Sequence, residues 1–281
     1  MKILLGRREA CPDMADDFGR TPLADAVNAG REGIVKILLR SEEINPRRLD
    51  TNGRTPLAIA AQSGQKEVVK LLMGYEGADP DKPDTWGERL LRQAAMSGEE
   101  GAAKILLGRE EVNPDEPDEG GRTLLSYTAL NGHIGVVGIL LGCEEVNPDK
   151  PDIWNRAPLS YAALGGREEV VKILLERGEV VNPDRPDNHG RTPPSFAAWC
   201  GYVGVIKLLL EREGVMPDKP DHQGKTPLSY AAQKGQEGVV KLLLEREEVR
   251  PDKPDNSGQT PLMYATSGGY HRVVALLQPH D

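Results

Sequence analysis

Paired carboxylates can hold a divalent cation, and the PDKPD segments supply such pairs, for instance Asp149 with Asp152 in one segment and Asp252 with Asp255 in another. Neither segment has the D-x-[DN]-x-[DN]-G spacing of a calcium loop, and copies carried on helices packed ~10 Å apart could not share one ion. A solvated acidic ledge is the expectation. Lys225 and Thr226 in QGKTP have the ending of a phosphate-cradling loop, but the first glycine of that loop is replaced by Lys219, and Pro227 follows. The histidines at 133, 189, 222, 271 and 280 make no H-E-x-x-H and no i, i+4 pair. Cys11, Cys143 and Cys200 are far apart, and no G-x-S-x-G occurs. The expectation is therefore no catalytic residue, no metal, no cofactor, and a protein that is not an enzyme.

Composition narrows the partners. With 35 basic and 44 acidic residues the formal charge is −9, and the acidic residues are spread along the chain, so a nucleic-acid backbone or an anionic membrane would meet net repulsion. No apolar run approaches the ~18 residues of a membrane span, and Arg7 interrupts the start too early for a secretory signal. Three unpaired cysteines and no glycosylation sequon suit an intracellular location, cytoplasmic first with the nucleus left open. Aromatic residues are only 4% against 31 glycines and 22 prolines, which favours a thin, turn-rich, modular body over one thick core.

The modules are visible. GRTPLADAVNAG at 19, GRTPLAIAAQSG at 53, GERLLRQAAMSG at 87 and GRTLLSYTALNG at 121 follow one another every 34 residues. NRAPLSYAALGG, GRTPPSFAAWCG, GKTPLSYAAQKG and GQTPLMYATSGG continue at 155, 190, 224 and 258, and the one 35-residue step puts its surplus in LLERGEVVNPD. Each copy opens with Asp-x-x-Gly, suited to a type I turn. Thr-Pro then supplies an N-cap and an N1 proline, and a glycine ends the short helix with the positive φ of a C′ residue. A second amphipathic helix such as EGVVKLLLERE follows, and a Pro-rich extended connector leads to the next turn. Helices this short are not stable alone, so copies must stack to bury their apolar sides.

The G-x-T-P-L-x-x-A-A-x-x-G core with a following V-V-x-L-L resembles the ankyrin repeat, and the NPDKPD connector resembles that of multi-repeat ankyrin proteins of filamentous fungi. The resemblance implies an all-α solenoid of stacked helix-turn-helix units with projecting hairpin loops, a concave face made by hairpins and first helices, and protein recognition without chemistry. The boundaries expected are a partial repeat over 1–15, contributing a second helix and connector, then eight repeats at 16–49, 50–83, 84–117, 118–151, 152–186, 187–220, 221–254 and 255–281. Met1 to Leu5 reads either as an improvised N-terminal cap or as the remnant of a longer array, and Met263 and Gln278 suit a C-terminal cap. Departures from the family pattern are Ser160 and Ser229 in place of histidine, Arg89-Leu90 in place of Thr-Pro, Pro194 in place of a core leucine and Asn155 in place of the turn glycine. The third and sixth repeats are expected to be local weak points.

Positions that the repeat leaves free are where specificity can be written. At the second hairpin-tip position the chain has Phe18, Asn52, Trp86, Gly120, Trp154, His189, Gln223 and Ser257, with Ile153 beside Trp154; the first helices end in apolar residues such as Leu130 and Trp199. Trp86, Leu130, Ile153, Trp154 and Trp199 are the expected anchors of a groove over repeats three to six, with Arg122, Arg156 and Arg191 as a rim favouring a partner segment with carboxylates. Two alternatives stand beside it: the arginines pair with aspartates of the neighbouring connector, and the tip rings lie flat on the next hairpin. The row Tyr127, Tyr161, Phe196, Tyr230 and Tyr264 is expected to pack between first helices. The functional expectation is a monomeric scaffold for an unidentified protein partner, neither nucleic acid nor membrane; the alternative is a regulatory or targeting segment of a larger enzyme or receptor.

Overall fold

The computed structural model describes residues 12–52, 54–74, 85–108 and 112–278, except for the side chains of 85–90 and 179. The proposed cap at Met1 to Leu5, Cys11, His280 and the turn glycine Gly53 lie outside them. Among the described residues the regular structure is sixteen α-helices and a single 3₁₀ turn, with no strand. The chain divides into two compact units, Met1–Pro114 and Asp115–Asp281.

The first unit holds α1 (Pro22–Asn28), α2 (Glu32–Leu38), α3 (Pro56–Gln62), α4 (Lys66–Met73), α5 (Thr85–Met96) and α6 (Glu100–Leu107). Thr21 and Thr55 cap α1 and α3 by accepting the amides of Ala24 and Ala58, and a proline follows each cap. Where Arg89-Leu90 replaces Thr-Pro, no such stop exists and α5 runs back to Thr85, reaching 12 residues. Trp86 therefore lies in a helix and not at a hairpin tip, which corrects the expectation for that residue. Its side chain is outside the described set.

The second unit stacks five helix pairs in two layers. First helices α7 (Leu124–Asn131), α9 (Pro158–Gly165), α11 (Pro193–Cys200), α13 (Pro227–Gln233) and α15 (Pro261–Ser267) pack in sequence. Second helices α8 (Ile134–Leu141), α10 (Glu168–Leu175), α12 (Val203–Leu210), α14 (Glu237–Leu244) and α16 (His271–Leu277) do the same behind them. Alanine pairs such as Ala162-Ala163, Ala197-Ala198 and Ala231-Ala232 are fully buried between the layers, where small side chains allow close approach. Each second helix inserts a branched set such as Val170, Val171 and Leu174, each side chain stabilising the stack by about 1.5–3 kcal/mol. That burial is what holds helices of seven or eight residues, too short to stand alone.

Local departures are absorbed. Pro194 sits at the second position of α11, whose amide would have no partner inside the helix, so α11 keeps eight residues, as many as α9. The surplus residue of the long step becomes the 3₁₀ turn Gly178–Val180. Serine takes over where the family histidine is missing: the Thr226 amide donates to Ser229 Oγ at 3.2 Å while the Ser229 amide donates to Thr226 Oγ1 at 3.2 Å. Ala157 is the exception, an N-cap without a side-chain oxygen.

Candidate functional site

The surface begins with a buried aspartate. Asp152 opens the fifth hairpin, its side chain fully buried. Its Oδ1 accepts the amides of Trp154 at 2.9 Å and Arg156 at 2.8 Å. Its Oδ2 accepts Arg156 Nε at 3.0 Å, Arg156 Nη2 at 2.9 Å and the Tyr161 hydroxyl at 2.6 Å. The Asn155 amide closes the turn on the Asp152 carbonyl, and Asn155 takes φ 62°, a left-handed conformation that asparagine tolerates better than most residues. Amides, guanidinium and phenol together repay the desolvation of the carboxylate.

The same clamp recurs with Asp118, Arg122 and Tyr127, and with Asp187 and Arg191; in the seventh and eighth hairpins Tyr230 and Tyr264 donate to Asp221 and Asp255. Burial works to raise the Asp118 and Asp255 carboxyls, but their tyrosine and amide donors outweigh it and hold both below the ordinary carboxylate value. Burial, reinforced by the bond to aspartate, pushes the Tyr161 and Tyr230 hydroxyls far up and Tyr264 up to about 12. Thus the tyrosine row joins each first helix to its own hairpin besides packing. The arginines pair with the aspartate four residues earlier in their own hairpin, where the sequence suggested either a free rim or a bond to the neighbouring connector.

Two ladders then lock hairpin to hairpin. The first-tip amide of one repeat donates to the second-tip carbonyl of the repeat before: Ile153 to Gly120 at 3.1 Å, Asn188 to Trp154 at 2.9 Å, His222 to His189 at 2.8 Å and Asn256 to Gln223 at 2.9 Å. A β-carbon on Gly121 would lie 2.9 Å from the Ile153 nitrogen, so the turn needs glycine for space as well as for its φ of 75°. In the connectors, a cation of each repeat pairs with the aspartate of the one before: Lys150 with Asp115, Arg185 with Asp149, Lys219 with Asp184 and Lys253 with Asp218, at 2.6–3.0 Å. Burial nonetheless leaves the Asp184 carboxyl raised despite Lys219, so this pair fixes geometry more than it adds stability. Asp149 and Asp152 are consequently engaged by Arg185 and Arg156, and no grouping of three or more metal-binding side chains occurs among the described residues.

With backbone and carboxylates committed, the tip side chains are left outward. Ile153 is 58% exposed and Trp154 41%. The Arg156 guanidinium lies 4.6 Å from the Trp154 ring centre and 4.9 Å from that of Tyr161, so this ring rests on its own repeat's arginine. One helical turn beyond Tyr127, Tyr161 and Phe196 come Leu130 and Leu164, half-buried, and Trp199, 38% exposed. Trp199 meets the edge of Tyr230 at 5.7 Å between ring centres, and the Lys234 ammonium lies 3.9 Å from its own ring centre.

The structure therefore brings Leu130, Ile153, Trp154, Trp199, Arg122, Arg156 and Arg191 onto the hairpin and first-helix side of the second unit. Trp86 belongs to α5 of the first unit. Sequence reasoning passes over Lys234, whose only signal is its place just before the glycine that ends its repeat core, and over the tyrosine-to-aspartate bonds, whose signal is a constant spacing of nine residues. What the surface offers is rings, aliphatic edges and cations, the components of a binding face.

No curated protein matches the chain. The family model for ankyrin repeats in three copies matches residues 1–84, 75–152, 140–221 and 204–281, which leaves no part of the chain uncovered. The repeated cap, hairpin and paired helices agree with that match, and the chain belongs to the ankyrin-repeat family.

Proposed function

We propose that this chain is a non-catalytic protein-recognition module that holds partner segments against the hairpin tips and first helices of residues 115–281. Ankyrin repeats are in general protein-interaction modules. The observation that carries the reading is the contrast at the fifth hairpin: the buried Asp152 and the turn amides are engaged, while Ile153 and Trp154 stay exposed at its tip. Exposed tryptophan on a rigid frame is the residue type that most often dominates binding energy. Leu130 and Trp199 extend the anchors along the first helices, and Arg122, Arg156 and Arg191 brace the hairpins beneath them.

No helix among the described residues is long and apolar enough to cross a membrane. Cys143 and Cys200 are free thiols, in keeping with a reducing compartment inside the cell. The test is capture of binding proteins by the wild-type chain and by the Trp154→Ala/Trp199→Ala variant. The reading expects a set of partners that the variant loses while its helical circular dichroism is unchanged. Equal capture by both would refute it.

A further inference from the structure

The basic column beside the hairpin tips changes character at the seventh repeat. Arg122, Arg156 and Arg191 each close on the aspartate of their own hairpin, with nitrogen-to-oxygen distances of 3.1, 2.9 and 2.6 Å. Lys225 stands in the same column but lacks the planar fork that lets arginine grip a carboxylate side-on. Asp221 Oδ2 accepts the Tyr230 hydroxyl as Asp118 and Asp152 accept those of Tyr127 and Tyr161, but the Lys225 ammonium goes to Gln233 Oε1 at 3.5 Å and to the Tyr264 ring at 4.9 Å. Beside Gln233 in sequence is Lys234, exposed, its ammonium over the Trp199 indole. Neither lysine has a carboxylate within ion-pair distance among the described residues, which of the other lysines of this unit is true of Lys207 alone, on α12, while Lys150, Lys172, Lys219, Lys241 and Lys253 are all paired. Lys234 thus puts an ammonium with no ion pair on the exposed Trp199, and Lys225 puts a second one 6.0 Å from the centre of the Tyr230 ring that Trp199 abuts, in a chain whose net charge is −9.

We infer that the patch of Trp199, Tyr230, Gln233, Lys234 and Lys225 binds an acidic peptide segment, with an apolar side chain on the exposed part of the indole and carboxylates on the two ammoniums. This rests on the recognition reading above and names its partner class. A carboxylate meeting these lysines removes no existing ion pair, whereas one approaching Arg156 or Arg191 must compete with a buried aspartate. A long polyanion such as nucleic acid is disfavoured by the negative charge around the patch.

The experiment pans a random dodecapeptide library on the full chain and resynthesises the enriched sequences. Enrichment of Asp or Glu next to an aromatic or aliphatic residue is expected. Binding should weaken about tenfold in Trp199→Ala and about tenfold in Lys225→Met/Lys234→Met, and should fall with added salt. Lys207→Met, an exposed lysine on α12, should bind as wild type. Lys234→Glu reverses the charge beside Trp199, and should be partly rescued by a peptide whose acidic residue is changed to Lys, which a mere loss of packing on Trp199 would not allow. Peptides without acidic bias, or peptides indifferent to the lysine substitutions, would overturn this assignment and leave the recognition reading standing. Displacement by a twelve-nucleotide oligonucleotide as effectively as by the peptide itself would also overturn it. No enriched peptide at all would overturn both.

Discussion

The Tyr161 hydroxyl donates to Asp152 Oδ2 at 2.6 Å, joining the fifth first helix to the buried aspartate that organises its hairpin. A single bond thus couples the element that carries the core to the element that presents Ile153 and Trp154. Tyr161→Phe leaves a buried carboxylate oxygen one donor short, and a loss of about 2 kcal/mol in urea unfolding is expected. Unchanged stability would show that Arg156 alone satisfies the aspartate.

The sixth repeat allows the converse. Asp187 is clamped by Arg191 but faces Phe196 where its neighbours have tyrosine. Phe196→Tyr places a hydroxyl nine residues after the aspartate, as in the fifth repeat, and should stabilise the chain by about 1 kcal/mol. Thermal melting measures it, and a lowered melting temperature would mean the ring has no room for the oxygen.

Stability should fall at both ends of the pH scale. The Asp118 and Asp255 carboxyls are depressed in the folded chain, so the unfolded chain binds more protons as pH drops. Their contribution is complete above the unfolded value near 3.8 and is lost as pH falls through the lower folded values. The hydroxyls of Tyr161, Tyr230 and Tyr264 are raised, so their contribution is complete below an unfolded value near 10 and is lost as pH climbs, for Tyr264 through about 12. Tyr264→Phe should flatten the alkaline decline above pH 10 in a urea-midpoint series. An alkaline slope that is the same in this variant and in the wild type would contradict the assignment.

Ala157 is a cap without an oxygen, although its backbone, φ −85° and ψ 167°, matches that of Thr123 and Thr226. Those threonines are fully buried in the same slot, so the space exists. Ala157→Thr should raise stability by about 1 kcal/mol, read as a shift in the denaturant midpoint with no change of slope.

Asn155 holds a left-handed turn and donates from Nδ2 to the Pro186 carbonyl at 2.8 Å. Asn155→Ala loses both advantages and should cost about 2 kcal/mol, while Asn155→Gly loses only the side-chain bond and should cost about 1 kcal/mol. Equal losses in the two variants would show that the backbone conformation carries no strain.

Fold and site were not equally legible in the sequence. Thr-Pro caps, alanine pairs and the Val-Val-x-x-Leu sets are local patterns, so their repetition specified helix pairs and the need to stack. Ile153 and Trp154 were legible as free positions because the turn residues around them were fixed. The partners of the arginines were not. Arg156 and Asp152 are four residues apart in a hairpin, and only the fold shows that this arginine reaches its own aspartate while the next connector cation, Arg185, reaches Asp149. The register of the repeat puts Trp86 at a hairpin tip, but without Thr-Pro to stop it, α5 extends back over that position. The difference between Lys225 and its arginine counterparts is likewise a matter of reach: Asp152 and Asp221 both accept a tyrosine hydroxyl, but only Arg156 also closes on its carboxylate.

Hydrogen–deuterium exchange of the full chain, with and without a peptide enriched on it, tests the central claim most directly, because it shows which face is covered. The account predicts slowed exchange over the hairpins and first helices within residues 188–200 and 222–234, with α8, α10, α12 and α14 unchanged. Protection confined to those second helices would contradict it.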